Sequence, residues 1–187
     1  MDYTVKRSNR KTISIELTPE GGILVRAPRH ASVAEIERVL NKHRRWINTH
    51  LQKQAGDRES ALQAGILSDA DIRELTRQAK SHIPRRVYHF APLLGLDPKR
   101  IGRITIRCQK TRWGSCSSKG NLNFNCLLML TPPEVIDSIV VHELCHLKEM
   151  NHSARFYNEL LRVFPEYHKW HRWLKEHGGA IMKRVHY

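Results

Sequence analysis

Residues 140–147 of the chain read VVHELCHL, and residues 151 and 152 are Asn and His. If this stretch is helical, His142 and His146 lie about one turn apart and leave the same face of the helix. Their two imidazoles can then bind one divalent metal ion, which is the chemistry of the H-E-x-x-H pattern. Glu143 lies beside the first imidazole, where its carboxylate can accept a proton from water instead of binding the metal. The stretch therefore predicts a hydrolytic metal site.

The flanking residues support the helix. Residues 131–134 read TPPE, which gives the capping-box spacing from Thr131 to Glu134 and a proline at the first helical position. Apolar residues from 135 to 147 fall on almost every side, as expected for a helix in the interior. Polar groups on a buried helix cost free energy unless they are paired, so two histidines and a glutamate there need a function.

His152 is the predicted third metal ligand. Hydrolytic zinc sites usually take three protein ligands and leave one position for water. The interval from His146 to His152 is that of the metzincins, whose glycine three residues after the second histidine lets the chain turn back. This chain has Glu149 at that place. We expect the turn at Asn151 instead, since asparagine tolerates the left-handed conformation.

Two features of this metal site have alternatives. A downstream acid, Glu159 or Glu166, is the other candidate for the third ligand and would make the site similar to that of the gluzincins. Zn²⁺ is the expected metal, although imidazole-rich sites also accept Ni²⁺, Co²⁺ or Mn²⁺.

Composition limits the classes of protein. The 187 residues, 40% of them hydrophobic, suffice for one ample domain or for a core with a smaller appendage. The net charge of +14 favours polyanions such as nucleic acid, nucleotides or acidic substrates. Because the basic residues are dispersed in short clusters, a solvated basic surface is the commoner explanation, and no specific nucleic-acid site is predicted. No apolar run is long enough to enter a membrane and no signal peptide is visible, so we expect a soluble, cytoplasmic protein.

The four cysteines form no C-x-x-C pair, so no zinc ribbon is indicated and we expect free thiols. They are Cys108, Cys116, Cys126 and Cys145. Cys145 occupies a variable position of the metal motif and is predicted to pack away from the histidines.

The N-terminal part predicts a ββα subdomain. Residues 12–17 alternate between apolar and polar, and the mostly apolar stretch at 23–27 follows a turn that ends in Gly-Gly. Together they indicate a β-hairpin, with residues 3–6 as a further strand. Ser32 opens a helix through a second capping box. The polar, aperiodic residues 52–65 predict a linker or exposed loop.

The following part predicts a long helix and a second hairpin. The helix begins at Ser68, and Pro84 is expected to kink or break it. Residues 103–109 alternate in the manner of a strand, with a return strand at 121–125. Ser153 can cap a helix after the metal motif.

A last helix spans residues 166–177 and is expected to end at Gly178 and Gly179. Its histidines, at 168, 171 and 177, are predicted to be surface or packing residues.

Between the two strands, residues 110–117 read KTRWGSCS. This mixed stretch has two interpretations. It is an edge or loop exposed to a ligand, with Gly114 allowing close backbone approach, or it is a bulged hairpin whose Trp113 packs a core edge. Under the first interpretation the substrate-binding candidates are Arg112, Trp113, Gly114, Ser115 and Cys116.

Several segments together resemble the YgjP-like family of metal-dependent hydrolases. They are the hairpin at 11–27, the helix around 46–47, RWGSCS at 112–117, HELCHL at 142–147 and NHS at 151–153. The resemblance implies a metal helix similar to that of zincin peptidases. It also implies metal ligands at His142, His146 and His152, with Glu143 as general base. A nucleotide phosphohydrolase activity is also ascribed to the family.

The predicted fold is therefore α+β, with a zincin-like metal-bearing helix packed against a small sheet. We expect this domain over residues 66–187, after an N-terminal subdomain over residues 1–55, or one continuous domain. The leading function is a zinc metallopeptidase, and a DNA-associated protease is a variant of it.

The alternative function is a nucleoside triphosphate hydrolase in which Lys110 and Arg112 neutralise phosphates. Two observations count against it. Phosphoryl transfer usually employs carboxylate-bound Mg²⁺, and the chain lacks a glycine-rich phosphate loop.

Overall fold

The structure, a computed structural model, describes residues 2–185. The chain divides into two units, Met1–Ser60 and Ala61–Tyr187. The limits of separate domains at 1–55 and 66–187 stay a prediction. None of the helices within residues 2–185 combines the length and apolar character needed to cross a membrane.

The first unit is built on a three-stranded sheet in the order β1-β3-β2. Its elements are β1 (Thr4–Ser8), β2 (Ser14–Leu17), β3 (Ile23–Pro28), α1 (Val33–Lys42) and α2 (Arg44–Gln63). The predicted hairpin is confirmed, since β2 and β3 pair antiparallel, and β1 joins β3 in parallel. The capping box at Ser32 and Glu35 is also confirmed.

The predicted linker at residues 52–65 is wrong, because α2 continues to Gln63. The stretch has no apolar stripe, yet Gln, Lys, Ala, Glu, Leu and Arg dominate it, and all of these favour helix. Lys53 and Asp57 add an ion pair of 3.2 Å one turn apart. A polar helix of this kind shows no hydrophobic periodicity, which is the signal the prediction relied on.

The second unit combines four helices with a second three-stranded sheet. Its elements are α3 (Asp69–Leu93), β4 (Ile104–Arg107), β5 (Gly114–Cys116), β6 (Leu122–Asn125), α4 (Pro133–Cys145), α5 (Ala154–Val163) and α6 (Tyr167–Met182), with short 3₁₀ helices at Pro98–Arg100 and Cys126–Leu130. Together the two units confirm the α+β class.

α3 begins as predicted, with a capping box between Ser68 and Asp71. Of the kink or break expected at Pro84, the break is wrong, because the helix continues for nine residues beyond it. On either side, Ile83 and Val87 are fully buried. Burial of this apolar face offsets the loss of one backbone hydrogen bond at the proline.

The second sheet has the order β4-β6-β5, with β6 parallel to β4 and antiparallel to β5. The predicted strand at 121–125 is confirmed as β6 and pairs with β4, but it runs parallel to β4, so the prediction of a return strand is wrong. The reason is that the RWGSCS stretch itself supplies a strand, β5, which turns into β6 over residues 117–120. Gly120 makes this turn possible, since its φ is +76° and its amide donates to the Ser117 carbonyl at 2.9 Å.

α4 carries the metal motif through the core of the second unit. Residues such as Val140, Val141 and Leu144 are fully buried, and the helix packs on α3, α5, α6 and β5. A proline is the first helical residue, as predicted, but it is Pro133 rather than Pro132, and the Thr131 capping box is wrong. Pro132 takes the N-cap position, and the Thr131 hydroxyl instead donates to the Leu128 carbonyl at 2.8 Å.

The end of α6 also differs from the prediction. The helix passes through Gly178 and Gly179 and runs to Met182. Gly178 favours close packing, because a Cβ there would lie 3.0 Å from Cζ2 of Trp113 and the indole ring would have to shift by a few tenths of an ångström. The glycine therefore reflects contact between α6 and the residue before β5.

Candidate metal centre

Three imidazoles converge at the C-terminal end of α4. One nitrogen from each of His142, His146 and His152 lies within 4.8 Å of the others. The Nε2 atoms of His142 and His152 are only 3.1 Å apart. Three neutral imidazoles with a fourth position open are a donor set of catalytic zinc sites, so these residues fit a divalent transition metal.

The reversal that brings His152 back differs from the prediction at Asn151. Among residues 2–185 no non-glycine residue has a positive φ, so Asn151 does not adopt the left-handed conformation. Instead α4 ends in a turn in which the amides of Leu147 and Lys148 donate to the carbonyls of Leu144 and Cys145, each at 3.0 Å. The Ser153 side chain then caps α5, as predicted. His152 is fixed between these two helix ends.

Partners outside the triad orient two of the imidazoles. Nδ1 of His146 lies 3.1 Å from the Glu149 carbonyl oxygen and donates to it. Nδ1 of His142 lies 2.9 Å from the Tyr167 hydroxyl, which lies 3.4 Å from Nδ1 of His171. The Glu149 carbonyl can only accept a hydrogen bond, so it holds the proton of His146 on Nδ1 and leaves Nε2 free to bind metal. The Tyr167 hydroxyl can accept from Nδ1 of His142 in the same way.

The sequence did not lead us to Tyr167 and His171 as outer partners of His142. His171 was predicted to be a surface or packing residue, and it is half-buried beside Tyr167. The spacing of four residues, which places Tyr167 and His171 on one face of α6, was the available signal. His168 and His177 are exposed, in line with the prediction.

Burial keeps the histidines in the state that binds metal. The pKa of His142 is lowered to about 3, chiefly by burial and then by the neighbouring His146, His152 and His171. Burial also lowers the pKa of His146. Neutral imidazoles at neutral pH are what metal coordination requires.

The carboxyl group of Glu143 is buried beside the triad, with 6% of the residue exposed. Burial raises its pKa to about 8. No lysine, arginine or histidine in the part of the chain described here forms an ion pair with it. Such a carboxyl group is poised to exchange protons near neutral pH.

Gly114 brings β5 directly against this carboxyl group. A Cβ at Gly114 would lie 2.6 Å from Oε1 of Glu143 and 2.8 Å from its Cγ, which no real Cβ tolerates. Cys116 is on the same face of the strand. Its pKa is raised to about 11 by burial and by the charge of Glu143, so it is a neutral thiol. The glycine is therefore required by space around Glu143.

Both features proposed for the RWGSCS stretch are present. β5 is an edge strand of its sheet, and Trp113 packs against the core and Gly178. A cleft of about 260 Å³ lies over the metal motif. It is lined by Arg112, Gly114, Ser115, Cys116, His142, Glu143, His146 and Met150. Trp113 is absent from this lining, and Met150 is an addition that the sequence did not indicate.

The alternative third ligands are engaged elsewhere. Glu159 pairs with Lys148 at 2.7 Å and with Arg162 at 3.1 Å. Glu166 pairs with Lys169 at 3.0 Å. The convergence of nitrogens therefore favours His152 as the third ligand.

A helix that presents two histidines and a buried glutamate, with a third histidine beside them, defines the class of metal-dependent hydrolases. The chain belongs to the YgjP-like family, since the model of the YgjP-like metallopeptidase domain matches residues 11–73 and 63–177. This confirms the family resemblance and the prediction of a metal-dependent hydrolase.

Two solved structures are also similar to this chain. They are metallopeptidase zymogens, abylysin of Pyrococcus abyssi and jannalysin of Methanocaldococcus jannaschii, with 28% and 26% identity. Each match covers 50% of this chain and 92% or 93% of the other, at a TM-score of 0.44. No curated protein matches the sequence.

Proposed function

We propose that this protein is a zinc metallopeptidase in which His142, His146 and His152 hold the metal and Glu143 is the general base. The observation that carries the proposal is the buried carboxyl group of Glu143, which lies in one cleft with His142 and His146 and against the backbone of an edge strand. One nitrogen of His152 lies within 4.8 Å of a nitrogen of each of these two imidazoles. A proton acceptor and a strand edge therefore adjoin the proposed metal ligands.

Zinc bound there supplies Lewis acidity and lowers the pKa of water toward ~7. Glu143 accepts a proton from the water that attacks the peptide carbonyl. It then passes this proton to the departing amine, so that the peptide C–N bond breaks and a carboxylic acid and an amine form. Ni²⁺, Co²⁺ or Mn²⁺ can occupy the same donor set.

The edge of β5 offers hydrogen bonds to an extended peptide. The Asn125 amide donates to the Trp113 carbonyl and the Ser117 amide to the Asn121 carbonyl, each at 2.9 Å. In an antiparallel pair such bonded positions alternate, so Gly114 and Cys116 turn their backbone amides and carbonyls away from β6. A substrate can therefore add to β5 as a further strand, with its scissile bond over Glu143.

One experiment separates this function from triphosphate hydrolysis. Zinc-loaded wild type and Arg112→Ala are assayed on an unstructured polypeptide and on nucleoside triphosphates. Peptide binding through the backbone of β5 should largely survive the loss of the exposed Arg112 side chain, whereas phosphate binding depends on such charge. Hydrolysis of triphosphates alone, lost in Arg112→Ala, would contradict the peptidase.

Gly114→Ala is expected to lower kcat/KM for peptide cleavage by about 10²-fold while the protein keeps its metal. The new methyl group displaces the Glu143 carboxyl group, and misplacing a catalytic group by about 1 Å costs a factor of this order. Metal content and initial cleavage rates measure the two effects. Gly56→Ala is the matched control, because nothing lies within 4 Å of a Cβ at that helical position.

The origin of the Gly114 effect can be checked through stability. Gly114→Ala should destabilise the wild-type protein, and it should destabilise the Glu143→Ala variant much less. The reason is that the three atoms nearest to a Cβ at Gly114 all belong to the Glu143 side chain. Equal destabilisation in both backgrounds, measured by urea unfolding, would mean that Gly114 does not act through Glu143.

Tyr167→Phe is expected to weaken zinc binding by roughly 10- to 100-fold, the usual loss when an outer partner of a ligating histidine is removed. The substitution deletes the oxygen that lies 2.9 Å from Nδ1 of His142 and leaves the ring in place. Competition with a chelating dye measures the affinity. Tyr157→Phe, a ring of the neighbouring helix, is the control, and equal affinities for both variants would exclude the orienting role of Tyr167.

A further inference from the structure

We infer that the substrate carries an acidic side chain, aspartate or glutamate, within a few residues of the bond that is cleaved. The inference rests on the proposed peptidase function and names the class of peptide that the same site accepts. It is based on a second, basic cavity that adjoins the metal cleft.

This cavity has a volume of about 450 Å³ and shares His146 and Met150 with the metal cleft. The turn from Ser117 to Gly120 forms one wall. Four cations line it, namely Lys99, Arg100, Lys119 and Lys148, and no carboxylate does. An occupant of the metal cleft that extends past His146 therefore meets concentrated positive charge.

Three of these four charges are not neutralised. Lys148 is paired with Glu159 at 2.7 Å, but Lys99, Arg100 and Lys119 have no carboxylate partner within residues 2–185. The Arg100 guanidinium donates to the Leu147 carbonyl at 3.0 Å, which holds it in place without cancelling its charge.

Asp97, the acid nearest in sequence to Lys99 and Arg100, forms its hydrogen bond within its own segment of the chain. Its side chain accepts the backbone amide of Lys99 at 2.9 Å and caps the 3₁₀ helix at Pro98–Arg100. Asp97 therefore does not neutralise these cations, and an anion from outside the molecule can bind them.

The direction of β5 links the two cavities. Its residues Gly114–Cys116 lie in the metal cleft, and the chain continues directly into the turn that walls the basic cavity. A peptide paired with β5 advances about 3.3 Å per residue. A side chain one or two residues beyond the paired segment can therefore reach the basic cavity, which Lys99, Arg100 and Lys119 line.

A carboxylate is the anion that a peptide paired with β5 can bring to this cavity. The turn does not offer a nest of free amides for a phosphate, because the Gly120 amide donates to the Ser117 carbonyl and the Asn121 amide to the Ser117 hydroxyl. The cavity therefore binds through side-chain charge, which an acidic side chain on an extended backbone can meet.

The test uses a peptide series in which Asp, Asn or Lys occupies each of the three positions on either side of the scissile bond. Zinc-loaded full-length protein should cleave the Asp peptide roughly five- to tenfold more efficiently than the Asn peptide at one position, since each exposed ion pair contributes only a factor of a few. Lys at that position should be disfavoured. The preference should shrink as salt is added.

Charge-reversal variants test whether the preference for Asp arises in the basic cavity. Lys119→Glu and Lys99→Glu should each remove most of the preference for Asp and improve cleavage of the Lys peptide. Lys80→Glu makes the same change of charge in a different cavity and should leave the preference intact.

The outcomes separate the two proposals. Cleavage of all peptides with equal efficiency would overturn the inference and leave the peptidase standing, and so would a preference that Lys119→Glu and Lys99→Glu leave unchanged. Hydrolysis of triphosphates without cleavage of any peptide would overturn both.

Discussion

Glu143→Gln is expected to lower kcat/KM for peptide cleavage by roughly 10²- to 10⁴-fold, the contribution usual for a general base, while metal content is unchanged. Glutamine has the same shape, so it fits between α4 and Gly114 without displacing either. It lacks the carboxylate that accepts the proton of the attacking water. Because Glu143 is not among the three converging ligands, the metal should remain.

Two measurements make this result specific. Zinc per chain, determined by elemental analysis, must be equal in wild type and Glu143→Gln. Asp137→Asn provides the control, since Asp137 lies on the same helix but pairs with Arg86 at 2.6 Å. Full peptide cleavage by Glu143→Gln at equal metal content would remove Glu143 from the mechanism.

His142→Ala and His146→Ala are each expected to abolish stoichiometric zinc binding, a loss well beyond the roughly 10- to 100-fold effect of an outer partner. Two of three imidazoles cannot complete the donor set of a catalytic zinc site. Peptide cleavage should disappear with the metal. Zinc content after gel filtration, together with the dissociation constant from chelator competition, measures the loss.

The third ligand is decided by the same assay. His152→Ala should behave as the other two histidine variants, whereas Glu159→Gln should retain zinc because Glu159 is held by Lys148 and Arg162. His82→Ala, an exposed histidine of α3, is the matched control. Loss of zinc in Glu159→Gln with retention in His152→Ala would make the site that of a gluzincin.

Features with a local cause could be predicted from the sequence. The capping boxes at Ser32 and Ser68 satisfy backbone amides through residues three positions away, so their signal lies within one turn. The spacing of His142 and His146 is likewise local, since a single helix fixes both side chains on one face.

Features that depend on distant contacts were misread. Glycine is typical of a helix end, yet Gly178 lies within a helix and packs closely against Trp113, which is 65 positions away in the sequence. Gly114 is explained by Glu143, which only the packing of β5 on α4 brings close. Tyr167 reaches His142 across 25 residues. The four-residue spacing of Tyr167 and His171 places both on one face of α6, but no pattern in the sequence shows that this face meets His142, so the outer partners of the site required the structure.

The most direct test is a crystal structure of the zinc-loaded protein with a phosphinic peptide, a mimic of the hydrated peptide bond. We expect zinc bound by Nε2 of His142, His146 and His152, with a phosphinyl oxygen within hydrogen-bond distance of Glu143. We also expect the peptide backbone to pair with Gly114 and Cys116. Zinc held by Glu159 instead of His152 would contradict the proposed metal centre, and a peptide backbone that lies away from β5 would contradict the proposed binding mode.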